Sequence, residues 1–175
     1  VSLDSSDRLG LAAPSGFGKT TFCKILAGYE QPDEGQVLLD GKPLSEYKGY
    51  CPVQLIWQHP QEAVNPRRKM KTVLEEGGVL DERLIHGLGI EKEWMERYPG
   101  ELSGGELQRF CIARALGEKT SFLLADEITA MLDLITQSQI WNFLLEEVRS
   151  REIGLLVVSH SEPLLQRICT GRIQL

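Results

Sequence analysis

The chain has 175 residues, enough for one domain with a real core, and its 42% hydrophobic and 25% charged residues are ordinary for a globular protein. A net charge of −6 argues against a nucleic-acid surface, where a basic stripe is expected, and the one basic cluster, Asn65 to Lys71, reads as a solvated loop. No apolar run approaches the ~18 residues of a membrane span and no leader peptide is visible; the scattered cysteines (Cys23, Cys51, Cys111, Cys169) lack CxxC spacing and are expected to be reduced thiols of a cytosolic protein.

Short apolar runs alternate with helical patterns, which predicts a mainly parallel sheet wrapped by helices. Arg8 to Ala13 (RLGLAA) is expected to be a buried strand, followed by a glycine-rich turn and a helix from Lys19 to Ala27 that Gly28 ends. GQVLLDGKPL predicts a small antiparallel part with a hairpin turn at Asp40-Gly41. Val53 to Trp57 is a further strand. From Thr72 to Tyr98 the pattern is helical but broken by Gly77, Gly78, Gly87 and Gly89, and residues 59–101 are expected to form a helical insert within a single domain spanning 1–175. SFLLA and GLLVVS are continuous apolar runs, as in strands buried on both faces. Between them a helix is predicted from Leu134 to Arg149, capped by Asp133.

Three stretches carry chemistry. APSGFGKTT (Ala13 to Thr21) stands between a strand and a helix, as a phosphate-binding loop of the form GxxxxGK[ST] requires. Loop N–H groups and the positive end of the helix would hold phosphates, Lys19 would reach the β and γ phosphates, and the Thr20 hydroxyl would bind Mg²⁺. Ala13 occupies the position of the pattern's first glycine; alanine is strained there only if the backbone needs a positive φ.

SFLLADE ends an apolar strand in two acids, beside the phosphate loop if the sheet is an open α/β one. Asp126 would hold Mg²⁺, leaving Glu127 to polarise an attacking water. His160 ends LLVVSH in the same place and is a candidate to bond the γ-phosphate. Gln58, after VQLIW, is a third polar residue ending an apolar strand.

ELSGGELQR places Gly104 and Gly105 in the first turn of a helix, where glycine costs roughly 1 kcal/mol per position. Ser103 and Glu106 form a capping box, so the helix start is specified. A first turn without side chains is an anion site, and with a phosphate loop already present it would serve the nucleotide of another copy in a head-to-tail dimer. Close helix packing is the competing use of the same glycines.

Together these motifs resemble the ATPase domain of an ABC transporter: Walker A in SGFGKTT, the Q-loop at Gln58, the signature in LSGGELQR, Walker B in FLLADE, the D-loop at Leu132-Asp133 and the H-loop at His160, in the family's order. WQHPQEAVNPRRKM and RYPGELSGGELQR resemble the peptide and nickel importer group. The resemblance implies a P-loop NTPase core, ATP and Mg²⁺ as ligands, and a cytoplasmic subunit peripheral on the inner face of the cell membrane. It further implies partners in a second ATPase subunit and transmembrane permease subunits, and none in nucleic acid. It assigns ATP contacts to Ser15, Gly16, Phe17, Gly18, Lys19, Thr20, Thr21, Ser103, Gly104 and Gly105. Glu127, His160 and Gln58 would be catalytic, and Thr20, Gln58 and Asp126 would be the metal's residues. Departures are Ala13 for glycine, Ile128 where proline is usual, and no aromatic residue before Phe17 to stack on adenine, so that the domain reads as compact or truncated at its N-terminus. A non-transport ABC ATPase, such as a phosphonate-breakdown accessory subunit, and a nucleotide-binding module without turnover are the alternatives; the short stretch between Gln58 and Leu102 disfavours chromosome-type members.

Overall fold

The computed structural model describes residues 1–14, 16–78 and 81–173. In chain order the strands are β1 (Arg8–Leu11), β2 (Leu38–Leu39), β3 (Lys42–Pro43), β4 (Val53–Ile56), β5 (Phe122–Asp126), β6 (Gly154–Val158) and β7 (Gly171–Ile173). The α-helices are α1 (Lys19–Leu26), α2 (Met70–Glu76), α3 (Glu82–Gly87), α4 (Gly104–Ala115), α5 (Leu134–Ser150) and α6 (Glu162–Ile168).

Strands β4-β5-β6-β1-β7 form a five-stranded parallel sheet, and β2 and β3 form the small antiparallel hairpin. Successive strand residues face opposite sides. Leu55, Leu124, Leu156 and Val158 pack with Cys23 and Leu39 on one face; Ile56, Leu123, Ala125, Leu155 and Val157 pack with α4, α5 and α6 on the other. With both faces covered, β5 and β6 must be apolar throughout, which explains their continuous runs.

The strands are shorter than their apolar runs. β1 stops at Leu11, because its neighbour β6 ends at Val158, the residue it pairs with. β4 likewise ends at Ile56, opposite Ala125, leaving Trp57 outside the ladder. The hairpin turn falls at Asp40-Gly41, with φ of 51° and 77°. Residues 59–101 contain α2, α3 and short 3₁₀ turns at Pro60–Glu62, Lys92–Glu96 and Pro99–Glu101. Gly77 ends α2 as anticipated; Gly87 ends α3 and lies so close to the Phe143 ring of α5 that a Cβ there would collide with it.

α6 and β7 had no counterpart in the sequence reading. Ser161 caps α6 through Leu164 N, Pro163 stands in its first turn, and β7 is a three-residue edge strand on β1. No helix among the described residues is long and apolar enough to cross a membrane.

Candidate active site

The register puts the motif residues at one edge of the sheet. Ile56 of β4 is level with Ala125 of β5, which is level with Val157 of β6; Val158 is level with Asp126 and with Leu11 of β1. Gln58, Glu127, His160 and the 13–21 loop therefore leave adjacent strands from their carboxyl ends, where open α/β sheets gather ligands.

In the loop, Gly16 and Gly18 take φ of 82° and 80°, a left-handed conformation that side-chain-bearing residues rarely adopt. Ala13 is not among the described residues with positive φ, so alanine is unstrained there. Gly18 is the N-cap of α1 and offers no side-chain cap, so the first N–H groups of the helix stay free for an anion. Lys19 is 7% exposed, and its Nζ donates to the carbonyls of Ala13 at 2.6 Å and Pro14 at 2.9 Å. Among the described residues no carboxylate pairs with it. A nearly buried ammonium with only neutral acceptors is a site that favours an incoming anion. Phe17 is exposed, as are Thr20 and Thr21 in the first turn of α1; Ser15 lies outside the described residues.

Across from the loop, Thr20 Oγ1 donates to Asp126 Oδ2 at 2.7 Å. This places one hydroxyl and one carboxylate together at the loop's edge. Glu127 follows with φ of +50°, an uncommon conformation for a non-glycine residue, and its N–H donates to Val158 O at 3.0 Å. That sharp turn aims the carboxylate out of the sheet edge. Glu127 Oε1 accepts the His160 N–H at 2.7 Å and lies 3.6 Å from His160 Nε2. The Glu127 side chain is 12% exposed, whereas the histidine ring is half-exposed. The geometry suits a base held by a backbone N–H, with an imidazole beside it.

Gln58, Gly104, Gln108 and Glu127 line a cleft of about 10 Å³, room for one water-sized sphere, which Met131 and Leu132 also border. At its rim, Ser103 Oγ accepts Glu106 N at 3.2 Å and Glu106 Oε2 accepts Ser103 N at 2.7 Å, the expected capping box. The two glycines differ. A Cβ on Gly104 would meet open space, whereas one on Gly105 would stand 2.8 Å from Leu132 Cδ2. The bare-turn reading thus has its space at Gly104, and close packing accounts for Gly105.

The residues fall into neighbouring groups: Lys19, Thr20 and Asp126 at the loop; Gln58, Glu127 and His160 at the strand ends, with Gly104 across the cleft. No hydrogen bond or ion pair among the described residues joins Ser103, Gly104 or Gly105 to the 16–21 loop. Gln108 was missed by sequence reasoning, although it stands four residues after Gly104 and so on the same helix face. A larger groove of about 550 Å³ between α5 and α6, bordered by Glu146, Arg149 and Arg167, holds none of the motif residues.

Residues 1–130 match the profile of the ABC transporter family. The chain belongs to that family, as an ABC ATPase cassette. The nickel import ATP-binding protein NikE of Rhodospirillum rubrum is 33% identical over 97% of this chain and 68% of its own length. The glutathione import ATP-binding protein GsiA of Pectobacterium atrosepticum is 33% identical over 93% of this chain, which spans only 29% of that protein. Among solved structures, the dimeric post-hydrolysis state of the ATP-binding cassette MJ0796 bound to ADP and Pi aligns with a TM-score of 0.83 and 21% identity, over 100% of this chain and 86% of that one. At that identity the likeness establishes the fold of the cassette alone.

Proposed function

We propose that this cassette is the ATP-hydrolysing subunit of an importer, working as a head-to-tail dimer with nucleotide between the copies. The observation that carries the hydrolytic part is the set Thr20–Asp126 and Glu127–His160, brought to one sheet edge next to an ammonium that has no carboxylate partner among the described residues. Lys19 and the free N–H groups of α1 take the β and γ phosphates of ATP, with Gly16, Phe17, Gly18 and Thr21 around them. Glu127 accepts the proton of the attacking water, and His160 donates to the γ-phosphate from beside it. Gln58 orients that water and links it to the insert.

The Thr20 hydroxyl and Asp126 carboxylate are hard oxygen donors side by side, the kind of incomplete set Mg²⁺ takes alongside phosphate and water ligands. They would hold it with Gln58 nearby, and the ion would supply neutralisation of phosphate charge. Ser103 and the open first turn at Gly104 face the nucleotide of the second copy. Because phosphoryl transfer is mostly positioning and electrostatics, docking that second half-site switches the chemistry on.

The relatives named for nickel and glutathione import support an importer of the nickel or peptide class; this cassette would sit on the cytoplasmic face, against transmembrane permease subunits. Steady-state phosphate release tests the enzymatic part. Glu127→Gln is expected to lower kcat by ~10²–10⁴ while ATP affinity is kept. A variant that turns over at the native rate removes Glu127 from the role of base.

A further inference from the structure

Trp57 sits just past the last paired residue of β4 and just before Gln58, so its carbonyl has no strand partner. The carbonyl is taken instead by Gln108 of α4, whose Nε2 donates to Trp57 O at 3.2 Å. The Trp57 ring is held from the other side. Tyr29 meets it edge-on at 5.2 Å between centroids, and the Lys24 ammonium lies 5.2 Å from its centroid. Lys24 belongs to α1 and Tyr29 stands three residues past its end, while Gln108 belongs to α4. Trp57 is thus pinned between the helix that opens at the phosphate loop and the helix that opens at Gly104.

Gln108 is costly for a purely structural residue. It is 4% exposed, and its Oε1 has no hydrogen-bond partner among the described residues. A buried acceptor left unpaired destabilises a fold, and its presence calls for a reason other than stability. The side chain borders the cleft that also holds Gln58, Gly104 and Glu127. A displacement of Gln58 toward or away from a nucleotide moves Trp57 O, and the Gln108 amide carries that displacement into α4, whose first turn is one helical turn away.

We infer that Gln108 is a positioning residue that couples the two half-sites: it ties the Gln58 strand exit of one chain to the α4 N-terminus that the same chain presents to the other nucleotide. The inference rests on the head-to-tail dimer proposed above. Gln108 touches no reacting atom, and its effect passes through Trp57 and α4.

Gln108→Met tests it, with volume and shape retained and both polar atoms removed. The change deletes the orphan acceptor but leaves Trp57 O without its donor, so the two effects offset and the melting temperature is expected to stay within about 4 °C of the parent. Monomer affinity for ATP, measured by calorimetry, is expected within about twofold, because the phosphate loop is untouched. kcat is expected to fall roughly tenfold, in line with a loss of coupling between sites. The Hill coefficient for ATP turnover is expected to drop from between 1 and 2 toward about 1, two sites setting the upper bound. A parent chain that stays monomeric with ATP and shows hyperbolic kinetics overturns the dimer reading, and this inference with it. A parent that dimerises, paired with a Gln108→Met variant of unchanged kcat and Hill coefficient, overturns the inference alone. So does a variant whose melting temperature and monomer affinity fall together with kcat, since that is the behaviour of a structural residue.

Discussion

Gly104 and Gly105 are neighbours with different surroundings, and the difference makes a test at the scale of one residue. A side chain at Gly105 presses on Leu132 of the same chain, whereas Gly104 faces open space. Gly104→Asp therefore adds a carboxylate where the second copy's phosphate is expected, without disturbing local packing. Turnover is expected to be abolished, with ATP affinity of the monomer within about twofold, since that site uses the phosphate loop. Equal loss of monomer binding, read by calorimetry, would show that the first turn of α4 acts within its own chain. The cysteines make a second test. Burial, aided by the Asp126 charge, pushes the Cys23 thiol up to about 12, and burial pushes Cys111 up to about 11. Both values lie above the ordinary 9.0, so this contribution to stability is intact below about pH 9 and is lost as pH climbs toward 11–12, where only the unfolded chain ionises freely. At pH 8 a disulfide reagent is expected to leave Cys23 and Cys111 unmodified in the native chain and to label both in denaturant. Rapid native labelling of Cys23 would contradict its buried place behind the loop. Residue identity was legible where spacing specifies chemistry, as in GKTT and the capping box. It was not legible at Gln108 or in the turn of Glu127, because a side-chain contact 51 positions away and a φ of +50° leave no local pattern.

Among the elements, α2 fastens the insert to the core by burying Met70, Val73 and Leu74, and α3 adds a second attachment. Arg83 lies 2.7 Å from Glu147 Oε1 and donates to its Oε2 at 3.0 Å, and Glu147 on α5 is fully buried. Gly87 packs on Phe143 of the same helix, so α3 and α5 meet at a close approach as well as a charge pair. Removing the cation strands a buried carboxylate, which in a dry interior costs several kcal/mol; Arg83 itself is 57% exposed, so water offsets part of that. Arg83→Met is expected to destabilise by roughly 2 kcal/mol and to lower the melting temperature by about 4–8 °C. Arg83→Met/Glu147→Met should recover most of the loss, and a double variant no more stable than the single would show that the pair is not what holds α3. The long apolar runs predicted β5, β6 and α5 well, because burial on both faces and a capped, periodic helix both mark the sequence. The insert was legible as broken helix through its glycines. α6 and β7 escaped because seven residues and three residues are too short to show a period, and β7 exists only by pairing with β1.

For the molecule as a whole, the groups gathered at the proposed site suit phosphate: an ammonium, free helix N–H groups and a hydroxyl beside a carboxylate. Tyr29 meets Trp57 edge-on at 5.2 Å and the Tyr50 hydroxyl bonds Thr120 Oγ1 at 2.9 Å, and neither ring borders the cleft that holds Gln58 and Glu127. This 175-residue chain is accordingly expected to bind ATP and GTP within about tenfold, a gap of ~1.4 kcal/mol. A preference for ATP above about a hundredfold would reveal a reader of the base. Under the proposed function the loop, Asp126 and Glu127 take one side of a triphosphate; among the described residues no hydrogen bond joins the open turn at Gly104 to them, and the proposal has the α4 of a second chain complete the site. Light scattering on Glu127→Gln with and without ATP and Mg²⁺ measures this directly. One chain's mass is expected without nucleotide and two with it, and the dimer is expected to vanish when Gly104→Asp is added. A variant that remains a monomer at saturating ATP, or that dimerises equally without it, would rule out a nucleotide-closed dimer.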